Sequence, residues 1–206
     1  MRVVEFYFDF SSTNSYFAAF MLPGICDREH ARVNWMPTHS AALFRGTGFE
    51  VMAMTPLKAR YLWRDHARYA ELTGLRFKKP SRFPIKTASA LRAVVAAGHA
   101  AQPDDGSSRE QSQRRITQEI MRAYWERDED ICDREVLKSI VSSAGFDGAT
   151  LLEIADSIAT REKLAAITEK AVERGIFGVP TFFVGSEMFW GKDRLDFVDR
   201  LLKRPE

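Results

Sequence analysis

Hydrophobic side chains change their spacing abruptly near the start of the chain. Over residues 4–10 they alternate with polar or tyrosine side chains, which is the period of a strand packed on one face. Over residues 16–20 they recur at helical spacing. The pattern predicts a strand over 4–10 and a helix that begins near Thr13 and ends at 27–30, interrupted or kinked at Pro23-Gly24.

The alternating period returns in later stretches. Residues 32–37 predict a second strand. We expect it to run parallel to the first, because right-handed crossovers join parallel strands. Residues 181–184 and 187–190 predict two short strands joined by Gly185-Ser186, a hairpin turn of the type that favours glycine. A final helix is predicted after Gly191.

Helix-forming residues dominate between positions 43 and 158, and the predicted helices there cover 88–97, 110–126, 134–143 and 148–159. Another helix is predicted over 160–174. The most polar stretch, 98–112, predicts a loop between two helices. The element order is therefore βαβ, a helical insertion and αββα. It predicts an α/β fold in which 1–40 and 160–206 form one domain and 41–159 form an inserted all-helical domain.

Composition excludes several classes of protein. A chain of 206 residues with 45% hydrophobic residues can form a proper core, and its formal charge of +2 with interspersed signs favours neither a nucleic-acid nor a membrane partner. No apolar run reaches about 18 residues, so a cytoplasmic protein is expected. Cys26 and Cys132 lie far apart, and the four histidines lack metal-ligand spacing. We therefore predict no disulfide framework and no metal.

Hydroxyl side chains lie where the first strand gives way to the helix. Such residues cap helix N-termini, which attract negative charge. A Cys-x-x-Cys motif here would permit disulfide exchange, but the chain has Ser12-Thr13-Asn14-Ser15, which excludes that chemistry. The same turn would stabilise a thiolate supplied by a ligand, and the abundant biological thiol ligand is glutathione. A plain helix cap is the alternative role for Ser12.

A second candidate site is Gly178-Val179-Pro180-Thr181, because a proline directly before an interior strand is unusual. In a thioredoxin-like order a cis proline at this place faces the N-terminus of the first helix. Val179 would then offer its backbone N–H and C=O groups to a peptide-like ligand. A trans proline that merely starts the strand is the alternative.

Short motifs occur in a fixed order along nearly the whole chain. They are FYFDF with Ser12 and Ser15-Tyr16, Ala42-Leu43-Phe44, Pro56-x-Lys58 with Tyr61-Leu62 and Asp65, Phe83-Pro84 with Ala90-Leu91-Arg92, residues 122–125, residues 175–180, and Trp190-Gly191 with Asp193-Arg194-Leu195. Each motif is weak, but their order and spacing are specific together. In these motifs the chain resembles the DsbA-like group that contains 2-hydroxychromene-2-carboxylate isomerase and the kappa-class glutathione transferases.

The resemblance implies a thioredoxin-like fold, a homodimer, and a glutathione site in which the Ser12 hydroxyl bonds the cofactor sulfur. It further implies that Lys58 contacts the glycyl carboxylate and that Asp193 binds the γ-glutamyl ammonium. Val179, next to Pro180, would pair with the cysteinyl backbone of glutathione. Pro180 and Lys192 are also expected to belong to the glutathione site. For Lys58 the alternative is a solvated helix face, and for Asp193 it is a cap of the final helix.

The chain departs from the family pattern at four positions. Thr13 stands where the family usually has proline, Phe49 and Lys86 stand where it has asparagine, and Lys192 replaces a small polar residue. Two lost amides and two gained positive charges would reshape the acceptor pocket. These departures leave the identity of the substrate open.

The leading hypothesis is a glutathione-dependent isomerase of the 2-hydroxychromene-2-carboxylate type, acting on a small aromatic carboxylate from aromatic catabolism. Lys86 or Lys192 would hold the substrate carboxylate. An aromatic pocket would be lined by Tyr7, Trp35, Phe49 and Trp190, with core packing as the alternative for most of these rings. The alternatives in function are a glutathione transferase that conjugates irreversibly and a non-catalytic binding module.

Overall fold

The sheet is built from β1 (Val3–Phe8), β2 (Arg32–Pro37), β3 (Thr181–Val184) and β4 (Glu187–Trp190) in a computed structural model that describes residues 1–48, 55–100 and 106–204. Its strand order is β2-β1-β3-β4. As predicted, β1 and β2 run parallel, with Val4 opposite Val33, and β3 lies antiparallel to β1 and β4. The strand β1 ends two residues before the predicted end, because the backbone turns at Asp9.

Helices occupy most of the remaining described chain. They are α1 (Thr13–Arg28), α2 (Ser40–Thr47), α3 (Pro56–Thr73), α4 (Ala88–Ala100), α5 (Gly106–Trp125), α6 (Arg134–Ser143), α7 (Gly148–Asp156), α8 (Ile158–Glu173) and α9 (Leu195–Leu202), with a 3-10 turn at Lys192–Arg194. The order βαβ, helical insertion and αββα confirms the predicted α/β architecture. No helix of the described ranges is long and apolar enough to cross a membrane.

Side-chain caps explain where several of these helices begin. A hydroxyl or carboxylate accepts a hydrogen bond from a first-turn N–H that has no partner inside the helix. The residues that do so are Ser12, Thr55, Asp133, Asp147 and Ser157. The cap at Ser157 also separates α7 from α8, so that boundary falls earlier than the sequence predicts.

Side chains on the two faces of β1 pack into two different hydrophobic clusters. Phe6 and Phe8 lie on the face covered by α1 and α5, where Phe6 stacks on Phe182 at 5.3 Å between ring centroids. Tyr7 lies on the opposite face, in a smaller cluster that includes Leu43 and Ala171. The alternation read from the sequence therefore corresponds to burial on both sides of a central strand.

The helix α1 continues through Pro23, which corrects the predicted interruption. Proline lacks the N–H that would bond to the carbonyl four residues earlier, here Ala19. The Gln118 side chain on α5 donates to that carbonyl at 2.9 Å. A partner from another helix thus satisfies the group that the proline leaves free.

The predicted loop over 98–112 is wrong at both ends, because α4 continues to Ala100 and α5 begins at Gly106. The Glu110 carboxylate accepts the Val33 backbone N–H at 2.9 Å and pairs with Arg32 at 3.3 Å. These contacts hold the polar start of α5 against the edge of β2.

Most buried residues of the sheet form one continuous cluster with those of α4 to α7, whereas Tyr7 and Phe183 belong to the smaller cluster. The members of the continuous cluster include Trp125 at the end of α5, whose indole N–H donates to the Phe10 carbonyl at 3.0 Å. The division into 1–40 with 160–206 and 41–159 stays a prediction.

Candidate active site

Ser12 is the N-cap of α1. Its backbone is extended, with φ −96° and ψ 113°, and its Oγ accepts the Ser15 N–H at 3.2 Å. The remaining N–H groups of the first turn point away from the helix, toward any ligand placed before it. A helix N-terminus of this kind stabilises a negative charge by roughly 0.3–1 kcal/mol.

A buried carboxylate fixes the turn that carries Ser12. Asp9 is 1% exposed and accepts the backbone N–H groups of Ser11 at 2.9 Å and Ser40 at 2.8 Å. Its own carbonyl accepts the Ser12 N–H at 3.1 Å. Asp9 is not among the residues predicted from the sequence, although an aspartate two positions before a serine has the spacing of an Asx turn. It ties the turn to the start of α2.

The two sites predicted from the sequence meet at Ser12. The Ser12 hydroxyl donates to the Val179 carbonyl at 3.2 Å, and the Val179-Pro180 peptide bond is cis. The Pro180 carbonyl in turn accepts the Gly191 N–H at 2.9 Å. The start of α1, the chain before β3 and the chain after β4 are therefore linked by hydrogen bonds at one place.

Lys192 and Asp193 follow Gly191 on the 3-10 turn but have different surroundings. The Lys192 ammonium lies 3.7 Å from the centre of the Tyr69 ring, and burial lowers the pKa of this side chain. Asp193 is exposed and pairs with Arg194 at 3.2 Å. Sequence reasoning did not identify Tyr69, because its contact with Lys192 joins residues far apart in the chain.

Lys58 and Lys86 are both exposed. Lys58 lies in the first turn of α3, where its backbone N–H donates to the Thr55 hydroxyl at 3.3 Å. The Lys86 carbonyl accepts the Cys132 thiol at 3.0 Å. Among the described contacts none joins either ammonium group to Ser12, so their predicted roles stay predictions.

Of the rings predicted to line a substrate pocket, Tyr7 and Trp35 lie in the core, with at most 1% of each exposed. The Tyr7 hydroxyl accepts from Arg174 at 2.7 Å, and burial raises the pKa of Tyr7 to about 12. Trp35 packs edge-on against Phe6 at 5.3 Å. Both rings are enclosed by core packing, which favours the alternative given for them, and their place in a substrate pocket stays a prediction.

Trp190 is half exposed and lies over Gly178, where an added Cβ would come within 2.8 Å of its indole nitrogen. It also contacts the Phe177 ring edge-on at 4.9 Å. This ring therefore stands beside Val179 at the surface. Phe49 lies outside the described residues.

An apolar cavity of about 520 Å³ lies elsewhere, between α2 and α8. Its walls include Ala42 and Leu164, and Ser12 is not among its lining residues. The hydrogen-bonded junction at Ser12 has the stronger chemical case, because it joins a hydroxyl, the Val179 carbonyl to which it donates and a helix N-terminus.

A family model described as a DSBA-like thioredoxin domain matches residues 3–203, so the chain belongs to the DsbA-like thioredoxin family. The match confirms the predicted thioredoxin-like fold. Within that family the chain is similar to 2-hydroxychromene-2-carboxylate isomerase from Pseudomonas sp. (strain C18), with 30% identity over 200 residues that cover 96% of this chain and 88% of that protein. The predicted resemblance to these isomerases is thereby confirmed.

Two further comparisons agree with this placement. Glutathione S-transferase kappa 1 from Rattus norvegicus is 26% identical over 218 residues, which cover 98% of this chain and 91% of that protein. A solved structure of 2-hydroxychromene-2-carboxylate isomerase matches with a TM-score of 0.82 and 25% identity, covering 97% of this chain and 94% of the other.

Proposed function

We propose that this protein is a glutathione-dependent isomerase of the 2-hydroxychromene-2-carboxylate type. Its relatives of that name match over nearly the full chain, and the kappa-class relative carries glutathione in its name. The observation that carries the proposal is the Ser12 hydroxyl at the start of α1, 3.2 Å from the Val179 carbonyl. A cysteine is absent from this turn, so the thiol must come from a ligand.

The groups at this junction fit a cysteine-containing peptide. Ser12 has one hydroxyl proton, which it donates to the Val179 carbonyl. When a thiolate lies before α1, this proton can turn to the sulfur, and the Val179 carbonyl is then free to accept the peptide N–H of the ligand. One rearranged side chain therefore supplies a donor to the sulfur and an acceptor to the backbone.

The other predicted site residues, Lys58 and Asp193, would bind the two ends of the glutathione tripeptide. Lys58 would hold the glycyl carboxylate, and Asp193 would exchange part of its pairing with Arg194 for the γ-glutamyl ammonium. When bound, glutathione supplies a thiolate that adds reversibly to a conjugated double bond, so that rotation and elimination isomerise the substrate and regenerate the cofactor. The protein contributes position and charge, and a lysine would orient the substrate carboxylate.

The magnitude at Ser12 follows from the chemistry of the thiol. A thiol with a pKa of about 8.5 is about 3% thiolate at neutral pH. A hydroxyl donor and a helix N-terminus that together contribute roughly 0.5–2 kcal/mol would raise this fraction several-fold. The helix N-terminus remains in Ser12→Ala, so only the hydroxyl's share of roughly 0.5–1.5 kcal/mol is lost, and we expect the isomerisation rate to fall about two- to tenfold when glutathione is saturating.

The assay is turnover of 2-hydroxychromene-2-carboxylate with and without glutathione. Ser157→Ala is the matched control, because the Ser157 hydroxyl also caps a helix by accepting a 3.2 Å hydrogen bond, but that helix is α8, away from the junction. Turnover by Ser12→Ala at the wild-type rate would contradict the role of Ser12. Turnover that needs no glutathione would contradict the proposal as a whole.

A second candidate is a glutathione transferase, which the kappa-class relative favours. Loss of free glutathione in step with substrate would support it, whereas an isomerase leaves the glutathione concentration unchanged. A non-catalytic binding module would instead show no glutathione binding by calorimetry. We also propose a cytoplasmic homodimer acting in aromatic catabolism, and light scattering after gel filtration tests the dimer.

A further inference from the structure

Lys192 extends from the junction toward the gap between α1 and α3. It follows Gly191, whose N–H is bonded to the Pro180 carbonyl, so its backbone is fixed next to the site. Its ammonium lies 3.7 Å from the Tyr69 ring centre and 5.9 Å from that of Phe17. Phe17 lies one turn beyond Thr13 on α1. The positive charge of Lys192 is therefore on the α3 side of Ser12.

No close ion pair to this ammonium is present within the described part of the chain. Asp193, which pairs with Arg194 at 3.2 Å, and Asp65 on α3 act on Lys192 only at longer range, and both oppose the effect of burial on its pKa. Lys192 is half-buried, and the burial disfavours its charged form. A half-buried ammonium held against two rings without a close ion pair is stabilised when a ligand supplies a carboxylate.

His66, one turn before Tyr69 on α3, adds no second charge. Its Nδ1 atom is buried without a hydrogen-bond partner, and its ring lies 6.2 Å from Phe17. Burial, with a smaller contribution from Lys192, lowers the pKa of His66 to about 4. The imidazole is therefore neutral at physiological pH and adds no charge beside Lys192. A second ammonium, that of Lys79, lies 5.4 Å from the centre of the Trp63 ring.

Aromatic rings continue from this ammonium across the same gap. Phe17 contacts Tyr69 at 4.8 Å and Phe77 at 5.9 Å, and Trp63 contacts Phe77 at 6.4 Å. Trp63 is partly exposed, and Phe83 beside it is 46% exposed. Phe17 itself is fully buried, so the apolar surface for a flat aromatic ligand whose carboxylate reaches Lys192 is formed by the partly exposed rings of Tyr69, Phe77, Trp63 and Phe83.

We infer that Lys192, held against Tyr69 and Phe17, binds the carboxylate of the aromatic substrate. Lys192 then belongs to the substrate and not to the glutathione site. This inference rests on the proposed function for the identity of the substrate, although binding of an aromatic carboxylate tests it independently. Lys86, the other predicted carboxylate ligand, becomes dispensable.

The test is calorimetric binding of 1-naphthoate and of its neutral carboxamide, with and without glutathione. For Lys192→Met we expect naphthoate affinity to fall at least about tenfold, to that of the carboxamide, with glutathione affinity unchanged within about twofold. A favourable charged contact of about 1.4 kcal/mol corresponds to that tenfold loss. Lys192→Arg keeps the charge and should retain naphthoate binding within about threefold. The thermal midpoint of each variant shows that it is folded.

Three outcomes overturn the inference. The first is naphthoate binding by Lys192→Met as tight as that of the wild type. The second is an equal loss of glutathione binding in this variant, and the third is loss of naphthoate binding in Lys86→Met instead. If the wild type binds naphthoate through Lys192 but binds no glutathione, the proposed function fails and the carboxylate subsite stands.

Discussion

Protonation of His66 is expected to destabilise the fold at mildly acid pH. The imidazole is partly buried among aromatic rings, and its pKa of about 4 reflects first burial and then the positive charge of Lys192, with Asp65 acting in the opposite direction. In the unfolded chain a histidine titrates near about 6.5. Between these two values the unfolded chain binds more protons, so the free energy of unfolding falls as the pH falls.

The magnitude follows from the difference between the two pKa values. A shift from 6.5 to about 4 corresponds to about 3.4 kcal/mol once the pH lies below both values, at about 1.36 kcal/mol per unit. Only part of this loss, about 2 kcal/mol, is reached by about pH 5. Because the ring retains some solvent contact, we expect a loss of about 1–2 kcal/mol between neutral pH and about pH 5.

The assay is urea unfolding followed by tryptophan fluorescence over this pH range, comparing the wild type with His66→Leu. Leucine fills a similar apolar space and cannot be protonated, so the variant should lose about 1–2 kcal/mol less than the wild type on acidification. Comparing the two proteins cancels the carboxylates that also titrate near pH 5. Equal losses in the two proteins would refute the reasoning about His66.

Two further substitutions test the structure around the site and in the insertion. Asp9→Ala leaves the Ser40 N–H without its acceptor and should cost about 2–4 kcal/mol in urea unfolding while weakening glutathione binding; unchanged stability would contradict the role of this carboxylate. Gly148→Ala places a Cβ 2.4 Å from the Lys138 carbonyl and should lower the thermal midpoint by several degrees, at about 1–3 kcal/mol. Its control is Gly24→Ala, where the added Cβ has no neighbour within 4 Å. An equal fall in the thermal midpoint of both variants would contradict the steric argument for Gly148.

Local periodicity was sufficient to predict the strands. The bounds of β2, β3 and β4 agree with the prediction, although their burial differs. Buried and half-buried residues alternate along β2, β3 is buried throughout, and β4 is exposed except for half-buried Phe189. The path of the chain at Pro23 was not predictable in the same way. The helix persists there because Gln118, distant in sequence, donates to the carbonyl that proline leaves without a partner.

The residues of the candidate site also fall into those that the sequence predicts and those that only the structure reveals. The meeting of Ser12 with Val179 follows from the order of elements, since that order specifies which loops share an end of the sheet. The role of Asp9 depends on its hydrogen bond from Ser40, and that of His66 depends first on burial and then on the nearby charge of Lys192, none of which a local pattern specifies. Long-range hydrogen bonds and burial determine these residues, and a single sequence displays neither.

The thiol pKa of bound glutathione tests the central claim most directly. Thiolate absorbance in the ultraviolet, titrated with saturating glutathione, should show a thiol pKa about one unit or more below the free value of about 8.5. In Ser12→Ala most of this shift should disappear, while Ser157→Ala should retain it. A bound thiol that titrates at the same pH in the wild type and in Ser12→Ala would contradict the account.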